Sequence, residues 1–363
     1  MKTNFRIGNA ILSIAVFLVM TVSCEQQDTE SEVNEGKTSL EVQIKGENEA
    51  GFSTRALGTP TGESDIKNSK LYIFNSLDIL ERVVDNPGAG KITTGLTTGD
   101  KTLIVLANFG SEYPSIQPGQ NMSDLRSVTS TLEMSDLAGN IASNGLPISG
   151  EATATLVEST TPNAVTILVS RMVARIDLEK ITIKAPNGTE KGVDITEVNI
   201  MKARSKANIL DKLSSDSDFG YLTATGSEYW GGISGTGLVS TEVKPFFNSV
   251  FQPSLSGAGE KAPDAYFYVF PNKDESNPTM LTLVSVVDGN TKYFPIQIND
   301  GKTGTVDNNA HKFIKRNNIY KLSVSLRHHN SGTVSPETTP VDLEVTLTVK
   351  DWELTIRQDV SFE

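Results

Sequence analysis

Val341-Asp-Leu-Glu-Val-Thr-Leu-Thr-Val349 places an apolar residue at every odd position and a polar one at every even position. That period of two belongs to a strand with one buried and one solvated face. From Trp352 the phase reverses: Trp352, Leu354, Ile356, Val360 and Phe362 form the apolar row, and only Gln358 interrupts it. The reversal falls at Lys350-Asp351 with no Gly or Pro. The chain must therefore bulge or change sheets there, because a one-residue slip exchanges the two faces of a strand. Periodicity leaves two readings of this end: a last strand paired within its own domain, or a strand lent to a neighbouring molecule.

The same pattern runs upstream. Leu40, Val42 and Ile44 alternate with Glu41, Gln43 and Lys45. Further strands are expected at 70–75, 102–108, 164–169, 172–183, 197–201, 265–270, 280–287, 293–298 and 319–326. Asp288-Gly-Asn290 between two of them is a hairpin signal. Residues 122–138, with Leu125, Val128, Leu132 and Leu137, are the best candidate for a short helix. A chain of 363 residues suits two domains, and strands punctuated by Gly and Pro clusters give an all-β protein of two antiparallel β-sandwiches in tandem. The boundary is placed near Ser170, where one strand set closes and Arg171-Met-Val-Ala-Arg175-Ile-Asp-Leu178 opens another. This gives domains 56–170 and 171–363.

The N-terminus reads as a targeting segment. Lys2 and Arg6 precede an acid-free apolar stretch from Ala10 to Val22, followed by Ser23 and the only cysteine, Cys24. A stretch of thirteen residues is too short for a membrane-spanning helix, which needs about 20, so residues 1–23 are a secretory signal. Thr21-Val-Ser-Cys24 is similar to the lipobox of bacterial lipoproteins, which assigns a lipid to Cys24. The acidic stretch Glu25 to Glu32 lacks aliphatic and aromatic residues and reads as a tether. Without residues 1–23 the chain has 30 Lys and Arg against 44 Asp and Glu, a formal charge of −14. Such a surface offers no global support for neutralising phosphates, which argues against a nucleic-acid partner.

Residues of reactive type are sparse. His328 and His329 are adjacent and point to opposite faces of an extended chain, and His311 stands apart. No Cys/His zinc set is available, and no cofactor or metal is expected. Gly232-Ile-Ser234-Gly-Thr236 fails the nucleophile-elbow pattern at its last position, and there is no phosphate-binding Gly-rich loop. An enzyme is not expected. Tyr221, Tyr229 and Trp230 before Gly231-Gly232 suit either a sandwich core or an aromatic platform for sugars. Asp300 to Asn309 is rich in oxygen donors without the spacing of a calcium loop.

Taken in order, Cys24, the strand Leu40 to Ile44, Ser53-Thr-Arg55-Ala56, Arg171 to Leu178, Asn317-Asn-Ile-Tyr320 and Val345-Thr-Leu-Thr-Val349-Lys-Asp-Trp352 resemble the FimA-type fimbrillins of Bacteroidales type V pili. The resemblance spans nearly the whole chain. It implies two transthyretin-like β-sandwich domains, export as an outer-membrane lipoprotein, and a cut by an Arg-specific protease. Carried onto this sequence, the cut falls between Arg55 and Ala56 and removes a propeptide, residues 24–55, that holds strand 38–45. Read from its residues alone, Arg55 is a loop cation in the polar, glycine-bounded connector Gly46 to Arg55, the kind of segment where proteolysis concentrates. The excised strand takes Leu40, Val42 and Ile44 with it, and the resemblance gives the vacated groove to a strand of another subunit. Residues 352–362, with Trp352, Leu354, Ile356, Val360 and Phe362, are the candidate donor. The expected partners are further copies of the chain, accessory fimbrial subunits, the protease, the outer membrane before cleavage, and a host or bacterial surface ligand. The implied function is a structural pilin of adhesive fimbriae. The alternatives are a fimbrial tip adhesin and a monomeric glycan-binding surface lipoprotein.

Overall fold

The unbroken apolar run Leu103-Ile-Val-Leu-Ala107 requires a strand covered on both faces. The computed structural model of the chain places it so, with all five side chains buried. The structure describes residues 37–46, 63, 65–110, 113–131, 145–183, 194–204, 206–210, 229–230, 259–263, 265–287, 289–300, 312–326 and 343–351. In the first half these form β1 (Lys37–Gly46), β2 (Ser69–Asn75), β3 (Leu80–Asp85), β4 (Ile92–Thr97), β5 (Gly99–Ala107), α1 (Met122–Arg126), β6 (Thr129–Thr131), β7 (Ile148–Leu156) and β8 (Asn163–Arg171).

Seven of these strands make one sheet in the order β3-β2-β5-β7-β8-β1-β4. It folds on itself, because Leu40 and Val42 of β1, Leu96 of β4 and Ile167 of β8 share one core with Leu71 and Ile73 of β2 and Leu103 and Val105 of β5. Strands about 4.8 Å apart across a flat sheet could not bring these side chains together. The turn lies where β7 meets β8. They pair only over Ile148–Gly150 and Val169–Arg171, and a Cβ on Gly150 would collide with the Leu168 carbonyl oxygen. The opposite face of β2 and β5, with Tyr72, Phe74, Ile104 and Leu106, packs with Met122 and Leu125 of α1 and joins a second core that runs through the rest of the chain.

The second half contains β9 (Ala174–Ile183), β10 (Asp194–Met201), β11 (Ala203–Arg204), β12 (Lys206–Asn208), β13 (Tyr229–Trp230), β14 (Gly259–Lys261), β15 (Ala265–Val269), β16 (Met280–Val287), β17 (Asn290–Gln297), β18 (Asn318–Leu326) and β19 (Leu343–Asp351). One sheet runs β14-β9-β18-β19, with β15 also on β9, and a second runs β10-β16-β17. Val287 pairs with Asn290 across the expected hairpin; Gly289 there takes the left-handed φ of +77° that such a turn needs. β12 crosses to the first half and pairs with β6.

The all-β expectation holds, with two ladders of opposite sense to the rest: β1 runs parallel to β8, and β18 parallel to β9. Of the helix expected over 122–138, the described residues form Met122–Arg126, capped by Asn121, whose Oδ1 accepts from Ser123 N at 2.9 Å; residues 132–138 lie outside them. Thr129-Ser-Thr131 leaves the helix for the ladder with β12, as β-branched residues favour. Arg171, expected to open the second strand set, closes β8, and the chain breaks at Met172-Val173 before β9.

Candidate functional site

β1 is the first described strand in the chain, yet it lies inside the sheet. Along one edge Leu40 to Gly46 pair in parallel with Asn163 to Val169 of β8. Along the other, Lys37 to Glu41 pair antiparallel with Thr97 to Ile92 of β4, with a bulge between Thr38 and Ser39. Leu40, Val42 and Ile44 point inward and are 0%, 3% and 8% exposed. Gln43 and Lys45 face solvent. The structure thus brings together the three residues expected to form the excised strand and seats them in the core of the first half.

Polar contacts fix where the strand sits. Thr38 is buried, and its hydroxyl donates to the Val157 carbonyl at 2.7 Å. The Asn163 amide nitrogen donates to Thr38 Oγ1 at 2.8 Å and to Ser39 O at 3.0 Å. On the exposed side Gly90 N donates to Glu41 Oε1 at 2.8 Å. At the Lys37 end Thr97 N and Oγ1 donate to Glu81, and buried Lys101 pairs with the same carboxylate at 2.7 Å. Removing β1 would expose the edges of β4 and β8 and open an apolar trough between them, an arrangement suited to strand addition.

A second constellation was not foreseen as a site. Glu63, on the approach to β2, is buried. Arg175 Nη1 of β9 lies 3.1 and 3.2 Å from its two carboxylate oxygens, and the Tyr268 hydroxyl of β15 donates to Oε1. Arg171 Nε donates to the Glu63 backbone carbonyl at 3.1 Å. Arg175 also pairs through Nε with Asp177 at 2.6 Å and lies 4.7 Å above the Tyr266 ring. Arg316 closes the group, donating to Arg171 O, Ser149 O and Ser170 O at 2.9, 3.1 and 2.5 Å. Burial pushes the Glu63 and Asp177 carboxyls above their ordinary range, against the pull of Arg175 on both. Burial likewise draws Arg171 down to about 10. The signal in the sequence was Arg171 and Arg175 within an otherwise apolar stretch, since buried cations require partners; nothing in the sequence pointed to Glu63 as that partner.

Other expectations are placed as follows. Val345 and Leu347 belong to β19, paired with β18 of the same half, so residues 343–351 are a strand of their own domain. Tyr229 and Trp230 form β13 against Arg204 and Ala203; Tyr221 lies outside the described residues. Cys24, Arg55, Ala56, Trp352, Leu354, Ile356, Val360, Phe362 and the three histidines also lie outside them, as does nearly all of Asp300 to Asn309. Among the described residues there is no metal-binding cluster of His, Cys, Asp and Glu, and no helix long and apolar enough to cross a membrane.

Comparison with known proteins agrees with this architecture. Residues 38–200 match the family of the major fimbrial subunit protein (FimA). Residues 172–352 match the C-terminal domain of the Fim1C-like fimbrium tip subunit. Together they indicate two β domains. Among solved structures, a fimbrilin (FimA) from Porphyromonas gingivalis W83 superposes with a TM-score of 0.60 at 17% identity, covering 89% of this chain and 99% of that one. A candidate cell adhesion protein from Bacteroides eggerthii superposes at 0.59 with 20% identity, covering 89% and 98%. One from Parabacteroides distasonis gives 0.56 with 18% identity, covering 89% and 99%. No curated protein matches the chain in sequence.

Proposed function

Because residues 38–200 match the family of the major fimbrial subunit protein (FimA) and residues 172–352 a fimbrium tip-subunit domain, we propose that the chain polymerises into adhesive surface fimbriae by protease-triggered strand exchange. The family is structural rather than enzymatic, and its members assemble with other fimbrial subunits at the cell surface. In the proposed sequence of events the precursor is exported, lipidated on Cys24 and held at the outer membrane. An Arg-specific protease cuts between Arg55 and Ala56, β1 leaves with the propeptide 24–55, and residues 352–362 of another copy fill the trough.

The observation that carries this reading is the seat of β1. A strand is covalently joined to the body only through residues 47–62, which include Arg55, yet it is inserted between β8 and β4 with its three aliphatic side chains in the core. One backbone cut makes such a strand replaceable without unfolding the strands around it. The excised piece takes eight acids and three bases, leaving 27 Lys and Arg against 36 Asp and Glu, a formal charge of −9. The proposal is tested in cells whose only copy carries Arg55→Ala: folded, exported protein without fimbriae is expected, and ordinary fimbriae would contradict it.

The match of residues 172–352 to a tip-subunit domain favours a second reading, in which the chain caps the fimbrium and carries its adhesive function. Immunogold labelling separates the two: gold along the shaft marks a stalk subunit, gold confined to the ends marks a tip.

A further inference from the structure

The trough that holds β1 contains one polar position beside three apolar ones, and Asn163 builds it. Its amide oxygen accepts from Val157 N at 3.1 Å, and its amide nitrogen donates to Val157 O at 3.0 Å. These bonds tie the two ends of the 157–163 loop together and do not involve β1. Departure of β1 therefore leaves Asn163 in place, while its nitrogen loses Thr38 Oγ1 and Ser39 O and the Val157 carbonyl loses the Thr38 hydroxyl. The vacated position presents an amide donor beside a carbonyl acceptor. A side chain that both accepts and donates replaces both lost Thr38 bonds at once, while Asn163 and Val157 keep their bond to each other.

Building on the strand-exchange reading above, we propose that Asn163 sets the register and direction of the strand that replaces β1, and that Gln358 of the incoming chain takes the place of Thr38. In β1 the inward positions read Thr38, Leu40, Val42, Ile44. Read backwards, the tail offers Gln358, Ile356, Leu354 and Trp352 at the same spacing, so its one break in the apolar row falls on the one polar position of the trough. The Gln358 carboxamide accepts from the Asn163 nitrogen and donates to the Val157 carbonyl, as the Thr38 hydroxyl does.

The forward direction fits less well. With Trp352, Leu354 and Ile356 in the core, it sets Lys350, a donor without an acceptor, against the Asn163 N–H groups. The incoming strand therefore runs opposite to β1, antiparallel to β8 and parallel to β4.

The test uses the full chain cut after Arg55 and labelled peptides of residues 36–47 and 350–363, with affinity read by fluorescence anisotropy. On the wild-type trough, Thr38→Val in the first peptide and Gln358→Ala in the second should each weaken binding about tenfold. On Asn163→Leu both losses should nearly vanish. Equal losses in both backgrounds, or none on wild type, overturn the inference.

Direction is read separately by disulfide formation, since the cut protein has no cysteine of its own. Leu168 faces solvent beside Lys45, and Thr94 faces solvent beside Ser39. Asp351→Cys in the tail peptide should link to Leu168→Cys and not to Thr94→Cys; the opposite pattern overturns the direction. A trough that takes the 36–47 peptide but never the tail peptide refutes the proposed donor, whereas Thr38→Val coupling to Asn163 reports on the pin without reference to any donor.

Discussion

Arg175 and Glu63 form a buried ion pair that fastens the segment following Arg55 to the second half of the chain, with Arg175 Nη1 3.1 Å from Oε1 and both side chains 1% exposed. Glu63 lies eight residues beyond Arg55. In the proposed cut at Arg55, β1 would be freed on one side while the clamp keeps Glu63 fastened on the other. The clamp also joins the end of β8, the start of β9 and the loop before β18 through Arg171 and Arg316.

Arg175→Ala leaves the Glu63 and Asp177 carboxylates buried without their main counter-charge. A loss of about 3 to 5 kcal/mol is expected in chemical denaturation. The double change Arg175→Met with Glu63→Leu, which removes charge from both sides of that pair, should cost less than Arg175→Ala alone. A single change that melts like wild type would show that the pair carries no such load.

The clamp also predicts a sign for pH dependence. Burial raises the Glu63 carboxyl above its ordinary value of 4.5, so the folded protein holds that proton more tightly than the unfolded chain. Its contribution is fully present below 4.5 and is lost as pH rises through the folded value. Wild type should therefore gain stability relative to Glu63→Gln as pH is lowered from 7 toward 4.5, measured by paired thermal melts. A relative loss over that range would mean that the arginines hold the carboxyl below its ordinary value.

Leu40 is fully buried in the trough. In the uncut precursor Leu40→Ala should cost about 2 to 5 kcal/mol, whereas Gln43→Ala, on the solvent face of the same strand, should cost under about 0.5 kcal/mol. After the cut and exchange of β1 the two variants should be equally stable, since neither residue remains. A persisting difference between the cut, exchanged forms would place Leu40 outside the excised piece.

Cys24→Ala should abolish incorporation of a fatty-acid analogue and release the precursor from the membrane fraction, because the firm hold of a lipoprotein needs more than one acyl chain. Labelling of the variant would refute the lipid assignment.

Truncation after Asp351 keeps β19 and its ladder with β18. The shortened chain should melt close to the full one, be cut at Arg55 and fail to assemble. A large loss of stability would mean that residues 352–362 belong to their own domain's core.

Strands with large aliphatic residues were legible in the sequence. β2, β5, β8, β16 and β18 lie close to where periodicity or apolar runs placed them, because burial of Leu, Ile, Val and Phe is what both the pattern and the fold express. β3, β4 and β7 were not. β4 reads Ile-Thr-Thr-Gly-Leu-Thr and β7 is mostly Ser, Thr, Ala and Gly between Ile148 and Leu156, so their places come from pairing with neighbours that a single sequence does not display. Leu40, Val42 and Ile44 were legible as a half-buried strand, but that β1 enters the middle of a sheet, parallel to β8, is a fact of topology. The Glu63 clamp was hidden for a related reason: its arginines and its carboxylate are more than a hundred residues apart, and no local pattern links them.

The most direct test of the account is digestion of purified precursor with an Arg-specific protease, followed by mass spectrometry and a non-denaturing gel. The account predicts that loss of residues 24–55 is accompanied by a ladder of oligomers, absent for Arg55→Ala and for the chain truncated after Asp351. A precursor trimmed to begin at Ala56 that runs as a single monomeric band would contradict it.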